Sequence, residues 1–208
     1  MHPYSTDQPY RWKRLVQIGE ITAGLLLILR FVTSTQLGFA WAPSFAGASA
    51  VLYIAFSKFL WDHLLLRRVG IVEVPNLEGA WRGHLWTSYN VEDEEKIADI
   101  DDPDDDLTAM ETEIYIEQTW DMIHIGLDGP DSESTSDGAT IHVNDGSDPT
   151  LSYTYENDPD YAAEDNLEYH FGTTTVTYDK EEETLDGYYY TGKRRANYGK
   201  LKLERVDE

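Results

Sequence analysis

Apolar residues dominate two stretches near the start of the chain, at residues 15–33 and 39–61. As α-helices, both are about long enough to cross the roughly 30 Å hydrocarbon core of a bilayer. The short turn between them is polar, and the second stretch follows too closely for the first to be a cleaved signal peptide. The pattern predicts a membrane hairpin of two transmembrane helices over residues 1–68.

Basic residues flank both outer ends of this hairpin. They are absent from its turn, and they comprise Arg11, Lys13 and Arg14 before the first span and Arg67 and Arg68 after the second. Because cytoplasmic flanks carry the excess of lysine and arginine, this asymmetry places both termini in the cytoplasm. We expect a multi-pass protein of the cell inner membrane, with everything after the hairpin on the cytoplasmic side.

Three charged residues, Glu20, Arg30 and Lys58, lie inside the predicted spans. Charges at membrane depth are costly and often functional. Glu20 and Lys58 would lie at comparable depth in an antiparallel hairpin, so they could pair within or between subunits. Arg30 lies near the turn and can extend its guanidinium group to the interface.

After a connector at residues 69–75, the apolar residues recur at every second position. Residues 81, 83, 85, 87 and 89 alternate with more polar neighbours, as in a strand with one buried face. Further short runs are separated by Asn, Asp, Gly and Pro, which predicts about eight strands over residues 76–208.

An all-β domain of this kind is expected to form a small antiparallel β-barrel, because closure removes exposed strand edges. An open sandwich is the alternative. The apolar phase shifts within residues 113–127, which are long enough to bend or to form two strands, and a bulge near Asp121 would explain the shift.

Composition adds a strong acidic bias, with 39 acidic and 16 basic residues and a formal net charge of -23. Such a chain repels itself at low ionic strength, whereas 1 M salt shortens the Debye length to about 3 Å. We therefore expect the salty cytoplasm of a halophile. An acidic partner-binding surface is the alternative.

Several kinds of chemistry have no support in the sequence. There is no cysteine, which excludes disulfides, thiolate nucleophiles and zinc-thiolate sites. The six histidines do not occur at metal-ligand spacing, and no nucleophile motif is present. The chain is expected to be neither an enzyme nor a metalloprotein, and to need no cofactor.

Positive charge is concentrated at the end of the chain. Of nine Lys and Arg residues after position 70, six fall in the last sixteen positions, close to Tyr188, Tyr189, Tyr190 and Tyr198. Arginine can grip phosphate through two hydrogen bonds, and bases stack on aromatic rings. This region could therefore bind an anion, although these side chains could equally belong to the barrel core or neutralise acidic residues.

Four segments carry a family resemblance: 75–83 (PNLEGAWRG), 118–120 (QTW), 187–195 (GYYYTGKRR) and 199–203 (GKLKL). With the membrane hairpin, they resemble the two-transmembrane, β-strand-rich effectors associated with cyclic oligonucleotide synthases in CBASS antiphage defence. The resemblance implies a β-barrel that binds a cyclic dinucleotide made after infection. It also implies self-association into a homo-oligomer and disruption of the inner membrane, which kills the infected cell. The lipid bilayer would then be a partner, whereas a nucleic acid polymer would not.

The resemblance also implies seven ligand-binding residues. Phosphates would be held by Lys193 and Arg195. The ring or a base would be hydrogen-bonded by Ser88 and Thr191. Bases would stack on Tyr89, Trp120 and Tyr155. Two other functions fit the same chain. One is a membrane-anchored barrel that carries a lipid or small apolar ligand, and the other is a structural adaptor that recruits partners through its acidic loops.

Overall fold

The computed structural model describes residues 1–7, 10–36, 43–89, 107–128, 132–143, 147–159, 169–193 and 196–206. The chain divides into two compact units. A helical unit covers Gln8–Glu73, and a β unit combines Met1–Asp7 with Val74–Glu208. The helical unit is therefore an insertion between the first few residues and the rest of the β unit.

The helical unit contains α1 (Tyr10–Gln36), α2 (Phe45–Ala55), a π-helical turn (Phe56–Leu60) and α3 (Leu64–Arg68). Ser44 caps α2 by accepting a hydrogen bond from the backbone N–H of Gly47 at 3.2 Å. Large apolar side chains are exposed on this unit, including Leu27 at 70% and Phe59 at 76%. An exposed apolar surface of this extent is typical of a region that contacts a membrane or another protein.

The prediction of two membrane spans is confirmed in part. Within the described residues, one helix is long and apolar enough to cross a membrane, at Lys13–Gln36. The second apolar helix, Phe45–Leu60, is shorter, and residues 39–42 of the predicted second span lie outside the described part of the chain.

The β unit is a closed barrel, which confirms the predicted barrel. Its strand order is β1-β4-β3-β2-β9-β8-β7-β6-β5, with a further β4–β5 pairing. The strands are β1 (His2–Thr6), β2 (Gly79–Thr87), β3 (Thr108–Gln118), β4 (Met122–Asp128), β5 (Ser132–His142), β6 (Thr150–Pro159), β7 (His170–Asp179), β8 (Thr184–Thr191) and β9 (Tyr198–Arg205). In the part of the chain that the structure describes, the barrel has nine strands rather than the predicted eight or so: residues 76–208 supply eight, β2–β9, and the ninth, β1, precedes the helical unit in a short, mostly polar segment.

The phase shift in residues 113–127 comes from a turn between two strands. The backbone N–H of Thr119 donates to the Met122 carbonyl at 2.8 Å, and the Met122 N–H donates to the Thr119 hydroxyl at 3.1 Å. The predicted bulge at Asp121 was therefore wrong. The barrel does contain an irregularity of register, in β5 between Ser136 and Gly138.

The two ends of the barrel differ in chemistry. At the lower end, where β2 begins and β9 ends, the interior is apolar, with fully buried Trp81, Ile116 and Leu203. The Trp81 indole N–H donates to the Leu77 carbonyl at 2.9 Å, and the Arg205 guanidinium lies 4.5 Å from the Trp81 ring centroid. The upper end, where β2 ends and β9 begins, is polar inside.

Candidate functional site

The upper half of the barrel interior combines aromatic and polar side chains. They project inward from β2, β6, β7 and β8 at alternate positions, and we call them the upper site: Thr87, Tyr153, Tyr155, Asn157, His170, Thr174, Tyr189 and Thr191. Buried polar groups are costly unless they find hydrogen-bond partners. Their concentration at one end therefore marks that end as a candidate binding site.

Two tyrosine rings of the upper site lie on glycines. Tyr155 of β6 is opposite Gly172 of β7, and Tyr189 of β8 is opposite Gly199 of β9. A Cβ built at either glycine would overlap the facing tyrosine ring. Only glycine lets these rings lie against the backbone of the neighbouring strand, so both rings are held in fixed orientations.

Gly199 also permits a contact between strands that are not neighbours. It is paired with Thr87 on one side and with Tyr189 on the other. The Tyr189 hydroxyl donates to the Thr87 hydroxyl across it at 2.6 Å, and Thr87 also accepts the Tyr89 backbone N–H at 3.0 Å. These bonds fix the end of β2 against β8 and set the position of Tyr89.

Asn157 carries an unsatisfied buried acceptor. Its side-chain amide donates to the hydroxyls of Ser132 at 3.0 Å and Ser134 at 2.8 Å. Its carbonyl oxygen Oδ1 is buried and has no hydrogen-bond partner in the described structure. A buried acceptor of this kind is rare and costly in a native protein, and a ligand N–H group would satisfy it.

The aromatic wall next to Asn157 is closely packed. The His170 ring meets the Tyr155 ring edge to face, with centroids 6.5 Å apart. Burial raises the pKa of the Tyr153 hydroxyl above its usual value, and a hydrogen bond with Thr174 opposes part of that rise. Tyr153 is therefore neutral at physiological pH and offers a hydroxyl rather than a charge.

The structure brings together some of the residues predicted to bind ligand. Tyr155 and Thr191 belong to the upper site, and Tyr89 lies at its edge. The Thr191 hydroxyl is engaged in the β8–β9 turn, where it accepts the Asn197 N–H at 2.8 Å and donates to the Asn197 carbonyl at 3.2 Å. The Ser88 hydroxyl accepts the Tyr198 N–H at 3.0 Å on the outside of the barrel.

The remaining predicted ligand residues are not gathered there. Lys193 is exposed in the turn after β8, within reach of the upper end but not part of its interior. Arg195 lies outside the described residues. Trp120 is in the β3–β4 turn at the lower end, only 4% exposed. The structure therefore separates Trp120 from Tyr89 and Tyr155, with which the prediction grouped it.

The prediction overlooked Asn157, His170 and Tyr189 as site residues. Asn157 occurs in the sequence Asn-Asp-Pro, which favours a turn, yet it lies inside β6 because Pro159 is that strand's last residue. Tyr189 was recognised only as part of a tyrosine run. Its alternation with exposed Tyr188 and Tyr190 is the signal that it faces inward.

The basic residues near the end of the chain lie in different parts of the barrel. The Arg205 guanidinium is used at the lower end, where it donates to the carbonyls of Glu78 at 2.6 Å and Asn76 at 2.7 Å. Lys200 and Lys202 lie on the outer face of β9. Among the described residues, no group of three or more His, Asp or Glu side chains could hold a metal ion.

The three predicted membrane charges are exposed on the helical unit. Glu20 and Arg30 belong to α1, and Lys58 belongs to the π-helical turn. The ion pair described in this unit joins Arg67 to Asp62 at 2.7 Å and involves none of the three. The expected pairing of Glu20 with Lys58 stays a prediction.

Comparison with known proteins gives two findings. A protein-family model described as "Cap15, cyclic dinucleotide receptor domain" matches residues 72–205. CD-NTase-associated protein 15 of Yersinia aleksiciae is 31% identical over 158 residues, which amount to 75% of this chain and 66% of that protein. The chain thus spans slightly less than two thirds of that relative's length.

Proposed function

The chain belongs to the Cap15 cyclic dinucleotide receptor family, as its sequence motifs implied, and on that premise we propose that its barrel binds a cyclic dinucleotide at the upper site. The family match over residues 72–205 is the observation that carries this proposal. It covers the whole barrel except β1, and it favours binding over catalysis.

The geometry of the upper site fits such a ligand. A cyclic dinucleotide presents two bases and two phosphates. Tyr155 and Tyr189 offer fixed aromatic faces, each able to stack a base for about 1–3 kcal/mol. Asn157 Oδ1 can accept an N–H from a base. Lys193 and Arg195 are proposed to hold phosphate, while Tyr89 closes the edge.

The same features argue against an apolar ligand. A lipid chain would leave the buried carbonyl oxygen Oδ1 of Asn157 without a hydrogen-bond partner. A nucleotide supplies hydrogen-bonding groups along the edge of its base. The upper site therefore supports the nucleotide over a lipid or other apolar molecule.

We further propose that the helical unit is a multi-pass anchor in the inner membrane. Strand β1 precedes this unit and β2 follows it, and both belong to one barrel. Both ends of residues 8–73 must then lie on the same side of a bilayer, which requires an even number of crossings. The exposed apolar side chains and the flanking arginines support two crossings with the barrel in the cytoplasm.

The proposed output is membrane disruption by assembled copies, as in abortive CBASS defence. Ligand binding can drive assembly only by favouring an assembly-competent state through its differential affinity. The charge of -23 also leads us to propose a halophilic host.

Thermal unfolding of the full-length protein in detergent at molar salt tests the ligand. A cyclic dinucleotide at 100 times its Kd should stabilise the fold by about 2.7 kcal/mol, whereas linear dinucleotides should have little effect. Asn157→Leu should weaken binding about tenfold or more, because it removes the free acceptor. The control Ser152→Ala, on the outer face of the same strand, should bind normally. A folded protein that no cyclic dinucleotide stabilises would contradict the proposal.

A further inference from the structure

Strands β4 and β5 pair directly only near the upper end of the barrel, from Gly126–Thr135 to Asp128–Glu133. Nearer the lower end, β1 lies between them. It runs antiparallel to β4 through His2 and Pro3, and parallel to β5 through residues 4–6. The lower part of this seam is therefore a groove that one extended strand completes.

Side chains hold β1 in the groove at several points. Tyr4 is 3% exposed and is part of the core. The His2 ring is 2.9 Å from the Ser136 hydroxyl, which also accepts the Ile125 backbone N–H at 2.9 Å. Main-chain pairing with a buried aromatic side chain is how a peptide binds by strand addition.

The strand is also fixed where it leads out of the barrel. Asp7 follows β1, and its carboxylate accepts the Val143 backbone N–H at 2.9 Å. The hydroxyls of Ser5 and Thr140 lie 2.7 Å apart. These contacts fix the register of β1 along β5.

Gln118 joins this strand to the segment that leads into β2. Its side chain is buried, and its carbonyl oxygen accepts the Leu77 N–H at 2.7 Å. Its amide nitrogen lies 3.1 Å from the Pro75 carbonyl and 3.4 Å from the Tyr4 hydroxyl. One amide therefore contacts the chain on both sides of the inserted helical unit.

We propose that the lower β4–β5 seam is a strand-binding site. Its ligand is an extended peptide that buries a tyrosine, and the chain's own residues 2–6 occupy it. Gln118 couples the bound strand to residues 75–77, so that occupation of the seam stabilises the segment that leads into β2. This site is separate from the upper site and does not depend on the cyclic dinucleotide.

Deletion of residues 2–7 from the full-length protein tests the site. The variant should unfold at a lower temperature, and a synthetic peptide HPYSTD added in trans should restore the wild-type Tm. The same peptide with Tyr4→Ala should not. An unchanged Tm after deletion, or equal behaviour of the two peptides, would overturn the proposal.

A second variant does not depend on how well the deletion folds. Because the chain has no native cysteine, Ser5→Cys with Thr140→Cys should close a disulfide under mild oxidation. Ser5→Cys with Thr177→Cys, on β7, should not. Failure of the first pair to close, or equal closure of both pairs, would show that β1 does not occupy the seam.

The role of Gln118 requires a double-mutant cycle. Tyr4→Phe and Gln118→Met each remove one partner of the contact while keeping a similar volume. Their effects on the free energy of unfolding should be clearly non-additive if the two side chains are coupled. Gln118→Met should also weaken binding of the peptide to the deletion variant severalfold. Additive effects with unchanged peptide affinity would leave Gln118 only a structural role and reject the coupling.

Discussion

Replacing Gly172 by alanine should push Tyr155 out of its fixed position at the upper site. A Cβ at residue 172 would come closer than 3.0 Å to three atoms of the Tyr155 side chain. The strand backbone is paired on both sides, to β6 and β8, so the tyrosine ring must move instead. Overpacking of this kind typically costs about 1–3 kcal/mol of stability.

The effect on binding follows from the stacking that Tyr155 is proposed to provide. A lost base contact is worth about 1–3 kcal/mol, which corresponds to about a 5- to 150-fold rise in Kd for the cyclic dinucleotide. Isothermal titration calorimetry on the full-length protein in detergent at molar salt measures this change. Thermal unfolding of the same sample measures the cost to the fold.

Two controls make the Gly172 experiment decisive. In Gly126→Ala, on β4, the new Cβ would lie at an ordinary contact distance of 3.5 Å from the His124 ring, so both binding and stability should change little. In a Tyr155→Ala background, Gly172→Ala should have almost no further effect on Kd. A Gly172→Ala protein that is destabilised but binds with wild-type affinity would refute the placement of the ligand against Tyr155.

Three further predictions concern other parts of the molecule. The Asp179 carboxylate accepts the backbone N–H groups of Glu182 and Glu181, which lower its pKa. The stability that the ionised carboxylate gives the fold should be lost as pH falls through that lowered pKa. Acid should therefore narrow the Tm difference between wild type and Asp179→Asn, and a constant difference would contradict this. Glu20→Leu should impair ligand-triggered leakage from liposomes while leaving ligand affinity unchanged, and unaltered leakage would remove its proposed role. Dialysis from molar to about 0.1 M salt should lower the Tm, because the Debye length rises to about 10 Å and the acidic residues then repel one another more strongly. A constant Tm, measured by circular dichroism, would argue against halophilic adaptation.

The period-two pattern predicted the barrel because each strand has one face in its core. In β2, Trp81 and Thr87 are buried and Arg82 is exposed, as the two-residue period predicts. Strand β1 gave no such signal. It is five residues long, and Ser5 contacts Thr140 across 135 positions, a distance over which local patterns carry no information.

The sequence alone could not show which of the predicted ligand residues lie at the same end of the barrel, because side-chain direction depends on strand register. Tyr155 and Thr191 were recognised by residue type, and register places them at the same end of the barrel. Trp120 has the same chemistry, but the turn between β3 and β4 puts it at the other end. Gly172 and Gly199 matter only through the rings that lie on them, so their role could not be inferred without the strand pairing.

The position of β1 also orders the events of biosynthesis. Residues 2–6 leave the ribosome before the helical unit, whereas their partners in β4 and β5 are made only after the whole of that unit. Under the proposed topology, the helices can therefore insert before the seam can close. A chain whose helical unit crossed the bilayer only once would leave its first strand across the bilayer from residues 139–141. Its barrel would keep an open edge, which is a substrate for proteases and aggregation. Closure of the seam thus distinguishes chains whose helical unit crosses the membrane an even number of times from chains in which one crossing has failed.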